Sequence, residues 1–284
     1  MNFWEYNNMQ IIDGKKIRNE ILEQLKEKVE TLPFQPIFCD IIVGDDPVSH
    51  SYVKIKEKTA ESIGIKFRKI EFANSATTEE IIEEINNLNN VPYMCGIIVQ
   101  LPLPPQINTD KVLDAIDSKL DVDCLGQVAS ENFYNNQNEM GYPTALACAH
   151  LIDEVCKELK DKKVVIVGQG RLVGKPVAHL LRSRGLDVSI INSKTENKKE
   201  IIERSDVVIS GVGRGKFITR DMVKSGAIII DAGTSEENGS IVGDVDFKDM
   251  SDIDGFITPS PGGVGPVTVA MLLENVLKVA KNKK

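Results

Sequence analysis

The apolar run Val164-Val-Ile-Val167 ends directly in Gly168-Gln-Gly170-Arg-Leu-Val-Gly174, and a helical pattern carries on to about Arg184. Few folds accommodate a buried strand, three closely spaced glycines and a helix in that order. Glycine tolerates positive φ and lets another backbone or a ligand approach closely. A helix starting behind such a turn presents unpaired amides and the positive end of its dipole, which together suit a pyrophosphate. The pattern predicts a βα unit of a parallel sheet with a dinucleotide at its carboxyl edge. The last glycine spacing is one residue longer than the usual fingerprint, so the helix is expected to begin slightly later.

Other strand-like runs continue the series at Asp187–Ile191, Val207–Ser210 and Ala227–Asp231, and a helix is expected from about Thr144 to Leu159. An earlier βα series lies upstream. A helical stripe (Ile17, Ile21, Leu22, Leu25, Val29) precedes the buried strand Pro36–Val43. A helix is expected from about Pro47 to Ile63, stopping at Gly64, followed by a strand near Lys66–Phe72, a helix near Thr77–Leu88 and the strand Cys95–Gln100. Alternating β and α segments imply a parallel sheet covered on both faces. The polar, turn-rich stretch Asn132–Gly141 marks the main boundary. The fold class is therefore α/β in two domains, an N-terminal parallel-sheet domain and a Rossmann-type nucleotide domain.

The 284 residues suffice for two sizeable cores, and 42% hydrophobic with 27% charged residues is ordinary for a soluble globular chain. A net charge of −8 argues against nucleic acid or an anionic membrane as partner. No apolar stretch is long enough to span a bilayer. Residues 1–8 lack a basic, apolar leader pattern, so no secretory signal is expected. Five cysteines without a Cys-x-x-Cys pair suit a reducing cytoplasm. Three scattered histidines (His50, His150, His179) give no expectation of a metal.

NAD-binding chains often place an acid after the second strand for the ribose 2′-hydroxyl. Here that strand ends Ile190-Ile-Asn192-Ser193-Lys194-Thr195, with no carboxylate. Ser193 is a candidate hydrogen-bond partner of a 2′-phosphate, and either Arg171 or Lys194 is a candidate to neutralise it. Both cations are equally readable as solvated surface charge. NADP is favoured over NAD.

A second constellation lies far upstream. Tyr52 and Lys56 are four apart on an expected helix and share one face. Gln100 closes an apolar strand just before Leu-Pro-Leu-Pro104, and Asp121 and Asp123 flank Val122. Short-chain dehydrogenases use the same Tyr-x-x-x-Lys spacing, but after their nucleotide glycines, whereas here it comes before them. Near the end, Thr258-Pro-Ser-Pro-Gly-Gly-Val-Gly-Pro266 precedes an apolar helical run from Val267 to Leu277. Prolines that fix φ and glycines that admit close approach suit a rigid wall beside a flat polar ligand.

Taken together, these segments resemble the bifunctional methylenetetrahydrofolate dehydrogenase/methenyltetrahydrofolate cyclohydrolase family. Val43-Gly-Asp-Asp-Pro47, Tyr52–Lys56, Gly96–Pro104, Asp121-Val-Asp123, Val173-Gly-Lys-Pro176, Gly243-Asp-Val245 and Ile257–Pro266 carry the likeness, in order, over nearly the whole chain. The resemblance implies a catalytic Lys56, with Tyr52 beside the folate rings, Gln100 orienting the lysine and Asp123 holding the pterin. It places Val99, Leu101, Pro261, Gly262 and Gly263 with the folate. Gly168, Gln169, Gly170, Arg171, Val173, Gly174, Ser193, Lys194, Thr195, Gly211, Val212, Gly233 and Thr268 are placed with the cofactor. It further implies a folate-binding domain over residues 1–141, completed by a C-terminal helix over 267–284. A nucleotide domain over 142–266 follows, with a folate cleft between the two. Tetrahydrofolate derivatives as partners, a role in one-carbon metabolism and purine biosynthesis, and a homodimer come from the same source.

Departures from the family pattern stand at Gln169-Gly170 (usually Arg-Ser), Asn192 (often His), Cys124-Leu125 (Gly-Phe) and Tyr142–Ala145 (Pro-Cys-Thr-Pro). They keep NAD open as cofactor. A single-activity variant and a non-catalytic folate- or nucleotide-binding protein remain alternative readings. Retention of Tyr52, Lys56, Gln100 and Asp123 together argues against the last.

Overall fold

A computed structural model describes residues 9–137, 139–237 and 239–283; the leader expectation rests on residues 1–8 and lies outside them. In chain order come β1 (Met9–Ile11), α1 (Gly14–Glu30), β2 (Ile37–Val43), α2 (Pro47–Ser62), β3 (Lys66–Phe72), α3 (Thr78–Asn89) and β4 (Met94–Val99). Two short helices follow, α4 (Thr109–Asp114) and α5 (Gln127–Tyr134). The remainder is α6 (Pro143–Val155), β5 (Val164–Val167), α7 (Gly174–Ser183), β6 (Val188–Ile191), α8 (Lys198–Glu203), β7 (Val207–Ser210), β8 (Ala227–Asp231), β9 (Ser235–Glu237), β10 (Ser240–Val242), β11 (Gly255–Ile257) and α9 (Val264–Lys281).

The chain divides into two compact units, one of Asn19–Pro143 with Val269–Lys284, the other of Met1–Arg18 with Thr144–Thr268. The first holds a parallel sheet in the order β3-β2-β4. Its central strand β2 is buried from Phe38 to Val43, as expected of a strand covered on both faces. The part of α9 from Val269 on belongs to this unit for a specific reason. Buried Asn275 donates to the carbonyl oxygens of Val122 (2.9 Å) and Gly141 (2.7 Å), satisfying two buried backbone acceptors. Beside it Val276 packs where Gly96 has no side chain; a Cβ there would stand 2.9 Å from Val276 Cγ2.

The second unit is built on a six-stranded sheet in the order β1-β11-β8-β7-β5-β6, parallel throughout. Val165, Val167, Val208, Ile229 and Ile257 lie in its core. Residues 1–18 were expected in the first domain. The structure instead puts β1 on the edge of this sheet, because Met9–Ile11 pairs with β11 and Ile12 N donates to Ile257 O at 2.8 Å. Gly14 follows the chain into this unit, since a side chain there would overlap Gly263 O. The helix expected from Val267 begins earlier, at Val264, and takes in Pro266. Proline is tolerated there because first-turn amides have no intrahelical acceptor.

Candidate functional site

The first unit gathers the upstream constellation. Asp46 caps α2, accepting from Ser49 N at 2.8 Å and Ser49 Oγ at 2.7 Å, with Pro47 in the first turn. That start sets the phase of the helix, so Tyr52 and Lys56 stand one turn apart, the ring exposed and the lysine buried. Lys56 Nζ donates to Gln100 Oε1 at 2.9 Å. Gln100 is itself pinned, its backbone N donating to Ile41 O at 2.8 Å and its Nε2 to Leu101 O at 3.1 Å. With Nε2 occupied, Oε1 is the atom turned to the ammonium.

Lys56 has a second neighbour that the sequence reading passed over. Asp40 Oδ2, on β2, lies 2.6 Å from Nζ. The contact is an ion pair and not a well-formed hydrogen bond, and Oδ1 has no hydrogen-bond partner among the described residues. Its signal in the sequence is an acid inside the apolar run Ile37-Phe-Cys-Asp-Ile-Ile-Val43.

Asp121 and Asp123 divide their work. Asp121 is buried, accepts from Gly126 N at 2.7 Å and closes the turn; burial lifts its carboxyl to about 6 against those amide bonds. Asp123 is partly buried and lifted to about 7, by desolvation first, against the attraction of Lys56 and with repulsion from Asp121 and Asp40. Cys124, at φ 59° between them and the helix α5, is fully buried and burial pushes its thiol up, consistent with a packing role. Val99 is buried at the end of β4, and Leu101 is half-buried before a cis bond to Pro102.

The second unit gathers the nucleotide candidates. Gly168 has φ 106°, and a Cβ there would stand 2.9 Å from Gly211 O. Side chains at Gly174 and Gly211 would overlap Gly168 O and crowd Val173 respectively. These glycines therefore bring the loops after β5 and β7 together. Gly170 differs, for a Cβ there would meet nothing within 4 Å, so its freedom faces outward. Gln169, Gly170 and Arg171 are exposed, and α7 starts at Gly174 with no side-chain cap on Val173. Lys175 N donates to Gly170 O at 3.2 Å and Val177 N to Val173 O at 2.9 Å, and Pro176 has no N–H, which leaves the Gly174 amide, beside the outward-facing Gly170, to meet a pyrophosphate. Ser193 and Lys194 are exposed beyond β6. Thr195 Oγ1 is taken up by Asn192 N at 3.0 Å and Asn192 Oδ1 by Lys194 N at 2.8 Å, so these two side chains shape the turn.

Two buried acids hold the other loops. Asp244 accepts from Ser210 Oγ, Val212 N and Arg214 N, each at 2.7 Å. Asp231 accepts from Gly233 N (3.1 Å), Asp244 N and Val245 N (both 3.0 Å); burial still raises its carboxyl to about 6. Gly233 is glycine because the Asp244 carboxyl fills its side-chain space. Thr268 Oγ1 is bonded back to Val264 O at 3.1 Å. Pro261, Gly262 and Gly263 lie in this unit, with a cis bond at Ser260–Pro261, φ 112° at Gly262 and no room for a Cβ at Gly263. A separate cavity of about 700 Å³ is lined by Lys216, Gly243, Phe247 and Pro259 among others, and by none of the glycine-loop residues. Among the described residues no cluster of His, Cys, Asp or Glu is arranged to hold a metal, and no helix is long and apolar enough to cross a membrane.

Comparison with known proteins matches both halves. Residues 12–123 fit the family described as tetrahydrofolate dehydrogenase/cyclohydrolase, catalytic domain, and residues 142–284 its NAD(P)-binding domain. The bifunctional protein FolD of Nitratiruptor sp. is 41% identical over 280 residues, 97% of this chain and 99% of that protein. The crystal structure of the bifunctional FolD of Campylobacter jejuni is similar at a TM-score of 0.92 and 38% identity, covering 96% of this chain and 99% of that one. The Trypanosoma brucei methylenetetrahydrofolate dehydrogenase-cyclohydrolase, complexed with NADP cofactor and inhibitor, gives 0.91 and 33%, covering 97% and 98%. With both domains matched and relatives alike over nearly their full length, the chain belongs to the tetrahydrofolate dehydrogenase/cyclohydrolase family.

Proposed function

We propose that the protein oxidises 5,10-methylenetetrahydrofolate to 5,10-methenyltetrahydrofolate with NADP, and hydrolyses that product to 10-formyltetrahydrofolate. The observation that carries this reading is the buried Lys56 ammonium held on Gln100 one turn from the exposed Tyr52 ring. Tyr52 supports the folate rings, with Val99, Leu101, Pro261, Gly262 and Gly263 as further contacts. NADP, when bound, accepts the hydride from the one-carbon bridge. The chain's part in that step is alignment. Gly168, Gly170 and the Gly174 amide at the start of α7 hold the pyrophosphate, while Arg171, Ser193 and Lys194 meet the 2′-phosphate. Gly211, Val212, Gly233 and Thr268 are assigned to the rest of the nucleotide.

Hydrolysis needs protons moved. Water adds to the methenyl carbon, Lys56 takes one of its protons, and the carbon–N5 bond then breaks as N5 receives a proton back from Lys56. The formyl group stays on N10, and one proton is released to solvent. Gln100 Oε1 keeps Nζ in place through both transfers. The 10-formyl product suits a one-carbon donor for purine synthesis, in a cytoplasmic homodimer.

Incubation with 5,10-methylenetetrahydrofolate and either NADP or NAD tests the reading, with reduced nicotinamide and methenyl product followed separately. Reduction with NADP and little methenyl build-up is expected. Preference for NAD would overturn the phosphate roles of Arg171, Ser193 and Lys194; no reduction with either would remove the dehydrogenase.

Asp123 gives a second expectation. As a carboxylate it accepts two N–H bonds from the pterin edge; protonated, it loses an acceptor and turns a donor toward donors. Its carboxyl is held up at about 7 without ligand. Folate affinity is therefore full above about 7 and weakens as pH falls below it, by up to about tenfold per unit. Calorimetric titration with a folate analogue between pH 5.5 and 8.5 measures this, and a flat profile would remove Asp123 from the pterin.

A further inference from the structure

We propose that Asp40 is a positioning residue for the cyclohydrolase step, standing behind Lys56 to hold Nζ against Gln100 and to set the pH at which the lysine accepts a proton. The inference rests on Lys56 being the proton carrier. Asp40 is the sole charged residue of β2, fully buried in the middle of the central strand. Its Oδ2 is 2.6 Å from Nζ, closer than the 2.9 Å of Gln100 Oε1. Its Oδ1 meets no partner among the described residues. A carboxylate so placed is stabilised by the lysine's charge and by little else.

That arrangement is poor as a structural device. Buried ion pairs exchanged for apolar residues of similar volume generally cost nothing in stability. It is effective as a proton device. Burial pushes the Asp40 carboxyl up while the Lys56 ammonium beside it draws it down. When Lys56 carries the proton, Asp40 is its counter-charge and makes release harder.

The remaining charges around Lys56 are fewer and differently engaged. Beyond β4 stand Asp123, which also feels Asp40, and Asp121, occupied by Gly126 N. From β3 come Lys69 and Glu71, paired with each other at 2.9 Å. On α2 itself are Tyr52, Glu57, near Lys69, and His50, 3.7 Å from Glu71. Among the described residues only Asp40 combines full burial, direct approach to Nζ and a second oxygen without a hydrogen-bond partner.

The test is the pH profile of cyclohydrolase kcat in the full chain, corrected for spontaneous hydrolysis, for Asp40→Asn and Asp40→Leu beside wild type and Lys56→Met. Removing the counter-charge loosens the lysine's hold on its proton, so the acid limb is expected to move at least one pH unit lower in both Asp40 variants. NADP affinity, reported by the other unit, should stay within about twofold. An unmoved acid limb in Asp40→Asn, whatever its overall rate, would overturn the proposal. Failure of both Asp40 variants to fold would overturn it as well, since the carboxylate would then serve the fold. Hydrolysis by Lys56→Met above the spontaneous rate would remove the lysine's role and this proposal with it. An inactive Lys56→Met beside an unmoved Asp40→Asn profile removes Asp40 alone.

Discussion

Lys56→Met abolishes the cyclohydrolase activity and leaves NADP binding within about twofold of wild type. Methionine keeps the apolar stem of the side chain, so the buried slot on α2 stays filled and the helix is undisturbed. What goes is the amine bonded to Gln100, to which the proposed mechanism assigns the proton taken from water and returned to N5. General acid–base catalysis by a positioned side chain contributes about 10²–10⁴-fold, and the loss should lie in that range. Asp40, left without its ammonium, keeps the burial that pushes its carboxyl up and favours the neutral form. Decay of methenyltetrahydrofolate absorbance reads the first quantity and nucleotide titration the second. A variant that hydrolyses well above the spontaneous rate would show that another group moves the protons.

The second large effect is expected at Asp244→Ala. The carboxylate is the common acceptor of Ser210 Oγ, Val212 N and Arg214 N, and it occupies the space left by Gly233. Its removal strands three donors around a void and releases the loop after β7. Bonds to a charged acceptor contribute about 1.5–3 kcal/mol each. Retaining only part of that energy, the loop should lose at least about 3 kcal/mol of preorganisation, or roughly 100-fold in the KM for NADP. Asp244→Asn keeps one acceptor oxygen and should fall between. The cyclohydrolase reaction, assayed on methenyl substrate without nucleotide, controls for the first unit. An unchanged KM for NADP would mean that Val212 and its neighbours do not serve the cofactor.

Much of this was legible because short sequence signals act locally. Asp46-Pro47 starts α2, Thr77 with Glu80 caps α3, and Val164–Gly168 forms the strand and turn it resembles. The elements that escaped are those made by distant partners. Met9–Ile11 is too short to show a period and becomes a strand only because β11 lies beside it. The hairpin of β9 and β10 has three residues to a strand and few apolar positions. Asp40 was hidden for a different reason, since one acid barely disturbs the apolar character of its strand. Its meaning comes from Lys56, on the next element, and from Gln100, far along the chain. The same holds for Asp231 and Asp244, whose partners lie on loops that the sequence separates.

The late position of Asn275 and Val276 in the chain has a consequence during synthesis. The first unit's strands and Lys56 emerge early. Yet the carbonyls of Val122 and Gly141 and the notch at Gly96 wait for the last helix to leave the ribosome. Until then that half is translated but unfinished, with an apolar slot open to water and to chaperones. A nascent chain stalled after about residue 260 should therefore hold a protease-sensitive first unit, which the addition of residues 264–281 closes.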